Sequence, residues 1–126
     1  MAQITPEVIK SKLFSLQNVA HSLHLDTRNF EEHKALHKIY QGVHDVKDNI
    51  LEKLMGYQNG KRIGKAKLDE LPIYSKEAVN QLIKDGLDFS HEMYEWAEEK
   101  EYCDIENMAQ DLSGLFAHVA YMLTLT

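Results

Sequence analysis

Sulfur chemistry is almost absent from this chain. Its one cysteine, Cys103, cannot form an internal disulfide or a multi-cysteine zinc site, which excludes thiolate metal chemistry and makes a reducing cytoplasm the expected setting. Basic charge is in the minority as well. With 14 Lys and Arg against 20 Asp and Glu, the formal charge is −6, so no surface is given over to nucleic-acid phosphates and direct DNA binding is not expected. No apolar run approaches the roughly 18 residues that a bilayer span needs, and the N-terminus lacks a basic stretch followed by an apolar one. A soluble intracellular protein without membrane contact is expected. Internal repeats and low-complexity tracts are missing too. The strings Gly60-Lys61 and Gly64-Lys65 have no strand before them and no Ser or Thr after Lys65, which excludes a phosphate loop.

What remains is a strong helical pattern. The 126 residues, 44% of them hydrophobic, suit one domain, 1–126, with a core of its own. Thr5-Pro6-Glu7 is a helix start: a capping hydroxyl, a proline at the first helical position and an acid favourable to the dipole. The stripe Ile9, Leu13, Leu16, Ala20, Leu23 then predicts a helix to about Leu25. Asp26-Thr27-Arg28-Asn29 breaks it and offers caps for a second helix, from about Arg28 to Tyr57. That helix has a core stripe of Leu36, Ile39, Val43, Val46, Ile50 and Leu54. Beside it runs a stripe of Phe30, His33, His37, Tyr40, His44, Asp48 and Leu51, too polar for a sealed core and too ordered for a random solvent face.

Gly56 to Gly60 ends the pattern. A basic connection with Lys61, Arg62, Lys65 and Lys67 follows, with room for a short helix around Lys65 to Leu71, ahead of Pro72. Ser75 caps a third helix that ends near Lys100, and Asp104 is the expected cap of a fourth that reaches the C-terminus. A middle connection of roughly twenty residues is too long for adjacent antiparallel helices. Short, long and short connections therefore predict an all-α, ferritin-like four-helix bundle with a long crossover between helices two and three, which run parallel.

Five of the seven histidines lie between residues 21 and 44. On the second helix His33 and His37 share a face, as do Asp48 and Glu52, but about 16 Å of helical rise separates His37 from Asp48. One chain cannot close that site. Two antiparallel copies can, because pairing 33 with 52 and 37 with 48 centres both on one point, between Gly42 and Val43, where a small residue suits close helix approach. Imidazole and carboxylate together suit iron, zinc or manganese, and carboxylates bridge two ions. Each of these residues taken singly is most often ordinary solvated surface. Their coincidence under one two-fold operation is what points to a site.

The segment HSLHLDTRNFEEHKALHKIYQGVHDVKDNILEKLMGY, residues 21–57, resembles the first-half signature of the Dps family, the DNA-protection-during-starvation mini-ferritins. Its ligand spacing is matched by His21, His33, His37, Asp48 and Glu52, and the tail DLSGLFAHVAYMLTLT, residues 111–126, is similar to the family's closing helix. Two positions depart from the pattern. His37 stands where the family usually has Asp, and Ser22 where it usually has Trp. The resemblance implies an iron-binding subunit in which His21, His33 and His37 of one copy meet Asp48 and Glu52 of another, Glu52 bridging two irons. It implies oxidation of Fe(II) by hydrogen peroxide or dioxygen, storage of Fe(III) inside a homo-oligomer from a dimer to a dodecamer, and oxidative-stress protection. His37 in place of Asp makes the site richer in nitrogen and tolerant of zinc.

The alternative from a different class is a non-catalytic helical interaction protein with a zinc or purely polar dimer interface. A hemerythrin-like carrier fits less well, because His33 and His37 have no adequate partners in the second half. Asp88-Phe89-Ser90-His91 resembles one Glu-x-x-His element of larger di-iron bundles but has no second copy, so His91 and Glu92 read as solvated. His118 reads as a packing or interface histidine. His24 and His44 read as groups that orient ligands from outside the metal shell.

Overall fold

A computed structural model describes residues 3–126, and they form four helices with no strand among them: α1 (Pro6–Asp26), α2 (Phe30–Tyr57), α3 (Lys76–Lys100) and α4 (Cys103–Leu123). The starts follow local chemistry. Thr5 Oγ1 accepts from the Val8 amide at 3.2 Å, Asn29 Oδ1 from Glu32 at 2.8 Å and Ser75 Oγ from Ala78 at 2.9 Å, each satisfying an amide that the first turn leaves free. The fourth start differs from expectation. Glu101 turns into the left-handed region at φ 63°, and the Tyr102 amide bonds back to the Ala97 carbonyl at 2.8 Å. The chain thus reverses within two residues, α4 begins at Cys103, and Asp104 lies inside its first turn rather than capping it.

The expected short helix around Lys65 to Leu71 does not form. That segment spends its amides on α1 instead: Lys67 N donates to Ser11 Oγ at 2.8 Å and Asp69 N to Ser15 Oγ at 2.9 Å, while Lys10 Nζ donates to the Gly64 carbonyl. Amides bound to a neighbouring helix cannot close their own helical turns. The connection climbs along α1 in this way, and Tyr74 then donates its hydroxyl proton to Glu32 at the α1–α2 turn. At the opposite end Tyr57 stacks on Tyr102, with ring centroids 4.0 Å apart. α2 and α3 therefore start at one end of the bundle and finish at the other.

Helix α1 packs on α2 and α3, and α4 packs on the same two, which leaves α2 and α3 on a diagonal. Leu13, Leu36, Ile39, Ile50, Met93, Leu112 and Phe116 are among the fully buried side chains between them. Gly86 lies beneath the Phe116 ring, where an added Cβ would collide with it. None of the described helices is long and apolar enough to cross a membrane.

Candidate metal centre

The three-residue turn between α1 and α2 brings the last turns of one helix beside the first turns of the next, and four histidines meet there. His24 and His33 stack with ring centroids 3.7 Å apart and planes 21° from parallel. Each Nδ1 lies against the other residue's backbone carbonyl, at 2.7 Å for His24 and 2.8 Å for His33. His37 lies 5.7 Å from His24 and places its Nδ1 2.8 Å from the Tyr40 hydroxyl. His21 stacks on the Tyr40 ring at 4.3 Å and lies 6.2 Å from His24. His21, His33 and His37 thus gather at one end of the α1–α2 pair, linked by His24 and Tyr40.

His24 is buried, and burial pushes its pKa down; its bond to the His33 carbonyl opposes this, while the neighbouring imidazoles add to it. A neutral ring is the form a metal ion needs. The structure moves this residue from the periphery, where the sequence reading put it, to the middle of the cluster.

Asp48 and Glu52 lie at the other end of the same pair, both exposed, lining a cavity of about 460 Å³ with Lys10, Phe14, Met55 and Arg62. Among the described residues, no group of three His, Cys, Asp or Glu side chains is placed to hold an ion within one chain. At about 100° per residue, His33, His37, Asp48 and Glu52 fall within roughly a third of the circumference of α2, so the histidine pair and the carboxylate pair share one side of the helix. Between them Gln17 Nε2 lies 3.4 Å from His44 Nδ1, and Lys47 donates to Gln17 Oε1 at 2.7 Å with its ammonium 3.9 Å from the Phe14 centroid. Burial lowers the Lys47 pKa, and the adjacent Asp48 charge works the other way.

Gly42 is not on this side. Its hydrogen faces α4, where an added Cβ would come within 2.6 Å of Leu115 Cδ2, so its smallness serves packing inside the chain rather than the close approach of a second copy. His91 is exposed and sits 3.3 Å from Glu95, and Asp88 pairs with Lys84 at 2.7 Å, as solvated helix residues do. His118 is exposed near Tyr121, so of the packing and interface roles read for it, the packing one is not taken up within the chain.

Sequence reasoning passed over Glu32. It is 2% exposed and accepts from Thr27 Oγ1 at 2.7 Å, from Tyr74 Oη, and from Lys76 Nζ at 3.1 Å, tying the α1–α2 turn to the connection and to α3. Burial opposes its charge, but the Tyr74, Thr27 and Lys76 bonds outweigh that and hold its carboxyl below the usual range. The spacing from Asn29 to Glu32 is that of a capping pair and was the available signal.

Compared with known sequences, residues 24–123 match the model of a family of unknown function, DUF5856, and the chain belongs to that family. No curated protein and no solved structure matches it.

Proposed function

We propose that this DUF5856 member is a mini-ferritin-like metal-binding subunit whose site closes between two antiparallel copies, with His21, His33 and His37 from one and Asp48 and Glu52 from the other. The reading rests on one observation: the imidazole and carboxylate half-sites occupy opposite ends of the same side of α2, each missing what the other supplies. Mixed nitrogen and carboxylate donors suit Fe(II), and the carboxylates would hold two ions together. The reaction is then Fe(II) oxidation. Two Fe(II) each give one electron to hydrogen peroxide, which takes two protons and leaves as two waters; with dioxygen, two Fe(II) and two protons give hydrogen peroxide. Storage of the Fe(III) requires a closed homo-oligomer of up to twelve copies, as in the Dps mini-ferritins. The single exposed thiol of Cys103 suits a cytoplasmic setting.

A second reading draws on the histidine-rich end. Four imidazoles and an unpaired carboxylate half-site also fit a dimer held by zinc without redox chemistry, manganese being the less nitrogen-loving option. Light scattering and Fe(II) oxidation separate the two. The first reading expects a dimer or larger assembly with saturable oxidation that Glu52→Ala abolishes. A strict monomer rules out both, and an assembly that binds zinc but oxidises no Fe(II) leaves only the second.

A further inference from the structure

Phe30 opens α2 with 67% of its surface exposed. Its ring neighbours are the Lys34 ammonium, 5.2 Å from the centroid, and the His33 ring at 6.3 Å. An aromatic ring left in water forgoes the burial that makes such residues interface anchors. The opposite lack sits at the far end of the same helix. There the cavity of about 460 Å³ has an apolar lining of Phe14, Leu51, Met55 and Ile63, two of them buried, beside the exposed carboxylates Asp48 and Glu52. A cavity of roughly 150 Å³ already takes a benzene ring. Phe30 cannot fill it within its own chain, because about 37 Å of helical rise separates Phe30 from Met55.

We infer that Phe30 is the apolar anchor of the antiparallel pair, seated in this cavity of a second copy while the second copy's Phe30 fills the first. The inference rests on the register of the shared-site reading. Pairing 33 with 52 and 37 with 48 about the point between Gly42 and Val43 also pairs 30 with 55, each about 19 Å along α2 from that point. At about 100° per residue, Phe30, Leu51 and Met55 fall within the same third of α2 as the histidine and carboxylate pairs, so the ring and the cavity share the side on which the copies would meet. Met55 suits the ring, since a thioether adapts its shape and its sulfur attracts aromatic edges. Charge agrees as well. Lys34 travels with the ring and comes opposite position 51 of the second copy, close to that copy's exposed Asp48 and Glu52. Because the seat is apolar, the contact needs no metal ion.

Sedimentation of the 126-residue chain over a range of concentrations, without metal and with Zn(II) added, reads the pairing. Phe30→Ala is expected to raise the metal-free dimer dissociation constant about tenfold or more, as loss of a well-seated aromatic anchor does. Its circular dichroism and melting temperature should match wild type, because the ring is exposed within the chain. The register is read by cross-linking with Phe30 in place. In a Cys103→Ser background, Lys34→Cys mixed with Glu52→Cys should give covalent dimers with a short bismaleimide, whereas Lys34→Cys alone should not, since its two copies lie about 25 Å apart in the pair. A dimer that Phe30→Ala leaves unchanged, or one that forms only with Zn(II), overturns the inference and keeps the shared site. A tenfold loss in Phe30→Ala with cross-linking in the mixture, but Fe(II) oxidation unchanged in Glu52→Ala, supports the anchor and removes the shared site. A monomer in both conditions, or efficient cross-linking of Lys34→Cys alone, overturns both and leaves the cavity to another occupant.

Discussion

The two helical hairpins of this bundle treat polar groups in opposite ways. In α3–α4 they act locally: Lys84 with Asp88 and His91 with Glu95 are exposed pairs four residues apart, while the interior is held by fits such as Gly86 beneath Phe116. In α1–α2 they reach between elements. Glu32 draws in Tyr74 and Lys76, Lys47 reaches Gln17, and His24 and His33 exchange backbone bonds. A buried polar group costs stability unless fully partnered. The second hairpin contributes packing at little risk, whereas the first sustains a demanding polar arrangement around the face that carries the candidate site.

Breaking the packing side of this contrast has the largest expected effect. Phe116→Ala should destabilise by about 3–5 kcal/mol in chemical denaturation, since it empties a fully buried ring position. Gly86→Ala should lose roughly 1–3 kcal/mol, because the ring beneath which it lies must move.

On the other side, Glu32→Ala leaves the Tyr74 hydroxyl without its acceptor and should lose about 1–3 kcal/mol. Its pH dependence is the sharper signature. The folded-state pKa of Glu32 lies below the ordinary value of 4.5, so the unfolded chain binds the proton more readily. The Glu32 contribution is complete above that value and is lost as pH falls through the folded-state pKa. Glu32→Gln should flatten this acid limb of the stability curve.

His24 adds an earlier step of the same sign. Its folded-state pKa lies below the ordinary value of 6.5, so stability should begin to fall as pH drops below that value, and His24→Phe should remove the step. Smallest of all, Lys84→Ala removes an exposed pair and should leave the melting temperature unchanged; a clear drop would show that α3 also depends on its charges.

What could be read from the sequence followed the range of the physics involved. The caps at Thr5 and Ser75 and the apolar stripes depend on neighbours within a turn or two, and they were legible; Asn29 was legible only as one of four candidate caps, with the helix start placed near Arg28 instead of Phe30. Asp104 was misread because the left-handed turn at Glu101 had already redirected the chain. The stretch from Lys65 to Leu71 was misread because the acceptors for its amides, Ser11 and Ser15, lie more than fifty residues away in sequence. Gly42 drew attention for its smallness, but only the placement of α4 reveals that Leu115 is what it makes room for. The spacing of His21, His33, His37, Asp48 and Glu52 was in the sequence from the start; the central place of His24 was not, because it depends on how α1 turns into α2.

The amino-acid order by itself determined four amphipathic helices, their short, long and short connections, and a histidine pair and a carboxylate pair set far apart on one face of α2. These are periodic or local properties. The tertiary structure decided which surfaces meet: the histidines gathered at one end of α1–α2, the carboxylates left at the other, Glu32 sealed beneath Tyr74, and Gly42 turned toward α4. Those outcomes come from contacts between residues far apart along the chain, where side-chain volume and hydrogen-bond partners, rather than sequence period, choose the arrangement.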